Sequence, residues 1–159
     1  MTTQLPGHVR KVAVMLHPTR AEWQCVFEEF GPDVLQTDAE DFANLRVADS
    51  IERWPVLREG TISSDGELPH TYLYEGKASG SGETVNWQHA ADLARRGRMI
   101  LAGGLNAANV GRAIRDVHPF GVDVSSAVES QPGQKDEAKI RAFIDAARKS
   151  ERAEEEATE

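Results

Sequence analysis

The sequence predicts an α/β protein built on a parallel β-sheet. Short apolar, β-branched runs alternate along the chain with amphipathic patterns of helical period. The strand-like runs recur at a spacing of roughly 20 residues, which is typical of right-handed βαβ units. Glycine and polar residues follow these runs, at the carboxyl ends of strands where parallel α/β folds bind ligands. The pattern therefore predicts a ligand site at one edge of a parallel sheet.

The first part of the chain reads as one βα unit followed by further strands. The run KVAVMLHP is apolar and stops at Pro18, which predicts a strand. The segment AEWQCVFEEF has an apolar helical face, and the helix is predicted to close at Gly31-Pro32. After it, DVLQTDAEDF predicts a strand and then a helix start, and WPVLREG predicts a short strand.

The second part continues the alternation of strands and helices. TYLYEG predicts a fourth strand, RMILAGG a fifth and FGVDVSSA a sixth. Asn86 is expected to cap a helix that ends at Gly97, because asparagine accepts from free helix N–H groups. Two further helices are predicted, with inward faces formed by Val110, Ala113, Ile114 and Val117 and by Ile140, Phe143, Ile144 and Ala147.

Composition limits the class of protein. The 159 residues favour one domain over residues 1–150, with residues 151–159 as an acidic disordered tail. A net charge of −8 gives no general attraction for nucleic acid or an anionic membrane. The start MTTQLPGHVRK has no apolar signal core, so a cytoplasmic location is expected. The single cysteine, Cys25, excludes an internal disulfide, and its acidic neighbours favour an unreactive thiol over a catalytic one.

Two loops near the carboxyl terminus favour a phosphate ligand. Gly103-Gly104 and Ser125-Ser126 end consecutive strand-like runs, and small residues let backbone N–H groups approach an anion. A tight turn explains the glycine pair alone about as well. The loop KASGSGE is either a third wall or lid of the site or a solvated linker.

Three further side chains are candidates for the same site. Glu75 ends a strand-like run, where it is either a general acid at the mouth of the site or a surface ion-pair partner. Asp123 lies between two valines, so it needs a polar partner, which is either structural or the substrate. His17 is expected to bond to backbone rather than to line the mouth. No spacing of metal ligands is present, and we expect no metal site.

The segments LAGGLNAANVGRAI and PFGVDVSSAVESQPGQKDEAKIRAFIDAAR resemble the carboxyl-terminal end of the phosphoribosylanthranilate isomerase family. SGSGETVNW is similar to that family's glycine-rich loop, and KVAVMLHPT and DVLQTDAED are looser matches to its third and fourth strands. The resemblance implies a TIM-type parallel (β/α) barrel that is incomplete here, with about six of the eight βα units. A barrel that lacks two strands would expose two open edges, so pairing through these edges in a homo-oligomer is one expectation.

The resemblance also implies a reaction, an Amadori rearrangement of N-(5-phosphoribosyl)anthranilate that needs no cofactor. Glu75 takes the position of the family's general acid, which is an aspartate. Asp123 matches the acid that contacts the anthranilate portion, and Asp38 replaces a substrate-side histidine within QTDA. The phosphate contacts implied are Gly103, Gly104, Ser125, Ser126, Gly80 and Gly82.

Two other functions remain open at this stage. One is a non-catalytic module that binds a phosphorylated ligand or serves assembly, and the other is a different sugar-phosphate isomerase or lyase on the same barrel. The family's cysteine base belongs to its first two βα units, which have no counterpart in this sequence. We therefore assign no general base.

Overall fold

The computed structural model describes residues 9–62, 66–76 and 84–158 of the chain. The chain divides into two compact units, Met1–Val56 and Leu57–Glu159, and strand β3 crosses the boundary between them. A single domain over residues 1–150 stays a prediction.

The first unit contains the predicted βα unit and two further strands. Its elements are β1 (Val12–Val14), α1 (Arg20–Phe30), β2 (Val34–Asp38), a 3₁₀ helix (Ala39–Ala43) and the first part of β3 (Glu52–Arg58). Strand β1 pairs in parallel with β2, and β2 pairs in parallel with β3. A capping box between Thr19 and Glu22 begins α1, and Gly31 ends it in the left-handed conformation, as the sequence predicts.

The second unit contains the remaining strands of the sheet and three α-helices. Its elements after β3 are β4 (Thr71–Glu75), α2 (Trp87–Ala94), β5 (Arg98–Leu101), α3 (Val110–Val117), β6 (Gly121–Val122), a 3₁₀ helix (Ser126–Val128), β7 (Glu129–Gln131), β8 (Gln134–Lys135) and α4 (Glu137–Thr158). Strands β4, β5 and β6 pair in parallel, whereas β7 and β8 form an antiparallel hairpin. The side chain of Asn86 accepts from the His89 N–H, so the predicted cap of α2 is present.

The strand order confirms the predicted fold class. The six-stranded sheet has the order β1-β2-β3-β4-β5-β6, so strands that are consecutive in sequence are neighbours in the sheet. Sequential order with parallel pairing is the winding of a (β/α) barrel, whose strands all end at the same face. The chain thus supplies six strands of such a barrel.

The two faces of strand β4 differ: one face belongs to the buried core of the second unit, and the other carries Glu75. Side chains alternate along a strand, so Tyr72 and Tyr74 lie on one face and Leu73 and Glu75 on the other. Both tyrosines are fully buried, and the Tyr72 hydroxyl donates to the carbonyl of Leu93 on α2 at 2.9 Å. The face of Tyr72 and Tyr74 therefore packs towards the helices, which leaves Glu75 on the opposite face at the carboxyl end.

The structure departs from the expected elements in three places. Strand β6 has two residues only, and the hairpin β7–β8 was not expected. Ile144 was expected to face inward on α4 but is 40% exposed, because Phe143 fills the buried position beside it. Helix α4 runs to Thr158 and so includes residues 151–158, for which a disordered tail is expected.

No helix among the described residues combines the length and the hydropathy of a membrane span.

Candidate active site

The carboxyl ends of β4, β5 and β6 bring three predicted groups to one edge of the second unit. Thr71 is in register with Arg98, and Ile100 is in register with Gly121, with all pairs parallel. Parallel strands end at the same edge of a sheet. Glu75, the Gly103-Gly104 pair and Asp123 follow these three ends, so this edge is the candidate site.

Glu75 is held in place by an arginine. Arg58 donates through Nη1 to Glu75 Oε1, and the side chains are only 21% and 14% exposed. The Glu75 carbonyl accepts from the Glu59 N–H at 2.9 Å, and the Glu59 carboxylate accepts from the Asn86 N–H at 2.9 Å. The end of β4 is thereby tied to the loop after β3 and to the start of α2. Arg58 was not singled out from the sequence.

The glycine pair after β5 adopts a conformation that glycine tolerates best. Gly103 and Gly104 have φ values of +91° and +60°. Asn109 Nδ2 donates to the Gly104 carbonyl at 2.9 Å, and Asn109 Oδ1 accepts from the Asn106 N–H at 2.8 Å, which stiffens the loop. Helix α3 begins at Val110, so residues 105–109 separate the glycine pair from the helix.

Asp123 lies immediately after β6 and is partly buried. Its N–H donates to the Leu101 carbonyl at 2.8 Å, which keeps it beside the end of β5. Burial raises the pKa of Asp123, and the positive charge of Lys135 opposes that rise. Lys135 of the following hairpin is thus a cation whose charge acts on Asp123, and whether the partner of this acid is structural or the substrate stays a prediction.

Ser125 and Ser126 follow Asp123 and are exposed. Ser126 begins a 3₁₀ helix, and the carbonyl and hydroxyl of Ser125 both accept from Lys135 Nζ. Lys135 was missed from the sequence. The signal available was Pro132-Gly133, which favours a tight turn and so a return of the chain towards Ser125. Gly80 and Gly82, the other two predicted phosphate contacts, lie outside the described residues.

In the first unit, Asp38 ends β2 in a cluster of charged side chains. His17 Nε2 lies 3.4 Å from Asp38 Oδ2, and His17 Nδ1 lies 3.1 Å from Asp41 Oδ1. His17 thus bonds to carboxylates, where a backbone partner was expected. Ligand atoms of His17, Asp38 and Glu40 lie within 4.8 Å of one another. That Asp38 contacts the substrate, and that the chain binds no metal, both stay predictions.

Comparison with known proteins identifies relatives over most of the chain. The family model described as N-(5'phosphoribosyl)anthranilate (PRA) isomerase matches residues 10–146. An N-(5'-phosphoribosyl)anthranilate isomerase of Pelobacter propionicus is 36% identical over 155 residues, which is 89% of this chain and 71% of the relative. An isomerase of that name from Roseiflexus is 60% identical over 84 residues, 53% of this chain and 36% of the relative.

Solved structures of phosphoribosylanthranilate isomerases are also similar to this chain. The phosphoribosyl anthranilate isomerase of Thermus thermophilus aligns with a TM-score of 0.73 at 27% identity, covering 89% of this chain and 74% of that chain. Monomers generated from the dimeric isomerase of Thermotoga maritima align with a TM-score of 0.69 at 28% identity, covering 89% of this chain and 73% of that chain.

The sequential parallel sheet, with its polar groups at the carboxyl ends of the strands, places the chain in the class of TIM-type barrel enzymes. The family match over residues 10–146 narrows this class further. The chain belongs to the N-(5'-phosphoribosyl)anthranilate isomerase family of tryptophan biosynthesis.

Proposed function

We propose that this chain catalyses the Amadori rearrangement of N-(5-phosphoribosyl)anthranilate to 1-(2-carboxyphenylamino)-1-deoxyribulose 5-phosphate. The observation that carries the proposal is the edge of the second unit, where Glu75, Gly103-Gly104 and Asp123 follow three neighbouring parallel strands. All of these residues lie within the segment that matches the family model. The edge combines a carboxylic acid with backbone suited to a phosphate, which is what this substrate requires.

Glu75 supplies the acid of the first step in its protonated form, in which it no longer makes an ion pair with Arg58. Its proton goes to the ring oxygen of the ribose, the bond between C1 and that oxygen breaks, and the nitrogen lone pair forms the C1–N double bond of an iminium. A base, to which we assign no residue of this chain, then removes the C2 proton. The electron pair of that C–H bond forms a C1–C2 double bond, the C1–N double bond returns its pair to nitrogen, and tautomerisation of this enaminol gives the ketose. The net change moves hydrogen from C2 to C1, so no redox partner enters the balance.

The other groups of this edge bind rather than react. The N–H groups of Gly103, Gly104, Ser125 and Ser126 hold the phosphate, which fixes the substrate at its far end. Asp123 contacts the anthranilate portion. The bound phosphate holds the substrate with its reacting carbons against Glu75.

The test is the loss of substrate fluorescence on turnover by the purified chain. Glu75→Gln keeps the size of the side chain but cannot donate a carboxyl proton, so we expect kcat to fall about 100- to 10,000-fold. Glu75→Asp restores the family's residue type, and we expect it to keep kcat within about tenfold of the native chain, since the carboxyl moves by about one bond length.

An exposed carboxylate of the same unit provides the control. Glu67→Gln changes the net charge as Glu75→Gln does, and we expect native rates because the exposed Glu67 precedes the amino end of β4, whereas the site lies at the carboxyl ends of the strands. The proposal is contradicted if the native chain shows no turnover where the Pelobacter propionicus enzyme is active. Native rates for Glu75→Gln would remove Glu75 from the mechanism.

The same proposal includes the setting of the reaction. We place it in the cytoplasm, with the phosphorylated substrate as the small-molecule partner. We also expect the chain to self-associate through β1, which stands at one end of the strand order. The Thermotoga maritima relative is described as dimeric.

A further inference from the structure

The hairpin β7–β8 brings a lysine back to the loop that follows β6. Glu129 on β7 is in register with Lys135 on β8, and Gly133 closes the turn between the strands at a φ of +79°. The hairpin is short and exposed, and it adds nothing to the six-stranded sheet. Its position between the Ser125 loop and α4 suggests that its role lies in what Lys135 contacts.

The ammonium group of Lys135 donates hydrogen bonds to three acceptors of the protein. Nζ donates to the Ser125 carbonyl at 2.9 Å, to Ser125 Oγ at 3.3 Å and to Glu129 Oε1 at 2.7 Å. An ammonium has three donors, so these contacts use all of them. Lys135 therefore acts on the loop itself and has no donor left for a ligand.

Glu129 is in turn fixed as the partner of this lysine. Its carboxylate also accepts from the Gly133 N–H at 3.0 Å. The hydrogen bond from Lys135 and that from the Gly133 N–H hold the pKa of Glu129 below its usual range, so the carboxylate stays charged. Lys135 is thus anchored on one side by a fixed anion and presents its other donors to Ser125.

The charge of Lys135 also reaches Asp123, two residues before Ser125. Asp123 is an acid next to a loop to which we assign a phosphate, and two anions close together repel each other. The positive charge of Lys135 favours the ionised form of Asp123 against the effect of its burial. The ammonium group of Lys135 therefore acts through its charge on Asp123 and through hydrogen bonds on Ser125.

We propose that Lys135 is a positioning residue for the phosphate site, because it fixes the Ser125 main chain and so directs the N–H groups of Ser125 and Ser126 towards the phosphate. This inference rests on the proposed function, which assigns the phosphate to this loop. Lys135 acts through Ser125 and does not touch the substrate.

The test compares Lys135→Met with Lys139→Met. Both variants remove an ammonium group that bonds to Glu129, but only Lys135 also bonds to Ser125. For Lys135→Met we expect KM, and the inhibition constant of inorganic phosphate, to rise about tenfold with kcat within about threefold, since the phosphate is bound equally before and during reaction. For Lys139→Met we expect native constants. Lys135→Arg keeps the charge and should recover most of the loss.

Amide NMR of the native chain titrated with inorganic phosphate separates the two proposals. Shifts of Ser125, Ser126, Gly103 and Gly104 that saturate in the native chain, and need about tenfold more phosphate in Lys135→Met, support the inference. Equal phosphate affinity in both chains overturns the role of Lys135 and leaves the proposed function standing. No phosphate binding by the native chain overturns the phosphate site itself and the inference with it. If Lys135→Met does not fold, the same comparison is made with Lys135→Gln, for which the same tenfold loss of phosphate affinity is expected and native affinity overturns the inference.

Discussion

At the residue level, a histidine with an unusual backbone conformation joins two elements of the first unit. His17 has a φ of +46°, and its ring contacts Asp38 at the end of β2 and Asp41 in the 3₁₀ helix that follows. Thr37 Oγ1 donates to the other oxygen of Asp41 at 2.5 Å. The hydrogen bond to Asp41, with the charges of Asp41, Asp38 and Glu40, raises the pKa of His17 above its ordinary 6.5 despite some desolvation.

The pKa of Asp41, the partner of His17, shifts in the opposite direction. Burial alone would raise the pKa of Asp41, but the hydrogen bonds from Thr37 and His17 bring it below its ordinary 3.8. The folded state therefore favours a charged His17 and a charged Asp41. The histidine contributes stability that is complete below pH 6.5 and is lost as the pH rises through its raised pKa, whereas the contribution of Asp41 is lost as the pH falls through its lowered pKa.

We expect the stabilisation by this pair to be greatest near pH 5. Thermal unfolding of His17→Gln should occur below that of the native chain at pH 5, and the difference should vanish by about pH 9, where the histidine is neutral in both states. His70→Gln, which changes an exposed histidine of the second unit, is the control and should show no such dependence. A His17→Gln difference that does not depend on pH would contradict the assignment.

At the level of elements, the contact between α3 and α4 depends on one glycine. A Cβ on Gly111 would lie 2.5 Å from Ser150 Oγ, closer than real contacts allow. Ser150 is only 5% exposed, and its hydroxyl accepts from Arg115 Nη1 at 3.1 Å, so it has little freedom to move away. The small residue therefore sets how closely α4 approaches α3.

Gly111→Ala should destabilise the chain by about 1–3 kcal/mol, although alanine is the better helix former, because the added methyl overpacks the contact. Urea unfolding measures this difference. In a Ser150→Ala background the same substitution should cost much less, since the clashing hydroxyl is gone, and the double-mutant cycle isolates that coupling. Equal costs in the two backgrounds would show that Ser150 is not the obstacle.

The strands of the sheet follow from sequence far better than the hairpin does. Buried strands such as β4 and β5 are continuous apolar runs, because helices cover one face and the barrel interior covers the other. Strands β7 and β8 are polar, exposed and at most three residues long, so no periodicity distinguishes them from a loop. Strand β6 has two residues only, Gly121 and Val122, although the Asp123 N–H still donates to the Leu101 carbonyl of β5.

The same reasoning explains which residues of the site can be predicted from the sequence. Glu75, Gly103 and Asp123 are predicted because they end strand-like runs, and the structure brings those ends to one edge. Arg58 reaches Glu75 from the end of strand β3, and Lys135 reaches Ser125 from the hairpin, through contacts between residues 17 and 10 positions apart. Such contacts depend on how loops return in space, and a single sequence carries no periodic signal for them.

At the level of the whole molecule, the sheet ends at β1 with exposed apolar side chains. Val14 and Leu16 are 68% and 67% exposed, and among the described residues β1 pairs with β2 alone. An edge strand with apolar neighbours is a template for pairing with another chain. The sheet order thus gives a physical reason for the self-association that we propose.

Leu16→Lys should shift the native assembly towards the monomer in sedimentation equilibrium. A lysine at this edge opposes pairing through its charge and hydration, whereas its long apolar stem leaves the fold of a residue so exposed undisturbed. Ile144→Lys is the matched control, since Ile144 is 40% exposed on α4, away from the sheet edge, and should leave the assembly as it is. If the native chain sediments as a monomer at every concentration, or if Leu16→Lys associates as the native chain does, β1 is not the contact. A shift by Leu16→Lys alone assigns the contact to β1, because both variants add the same charge and only one adds it at the open strand.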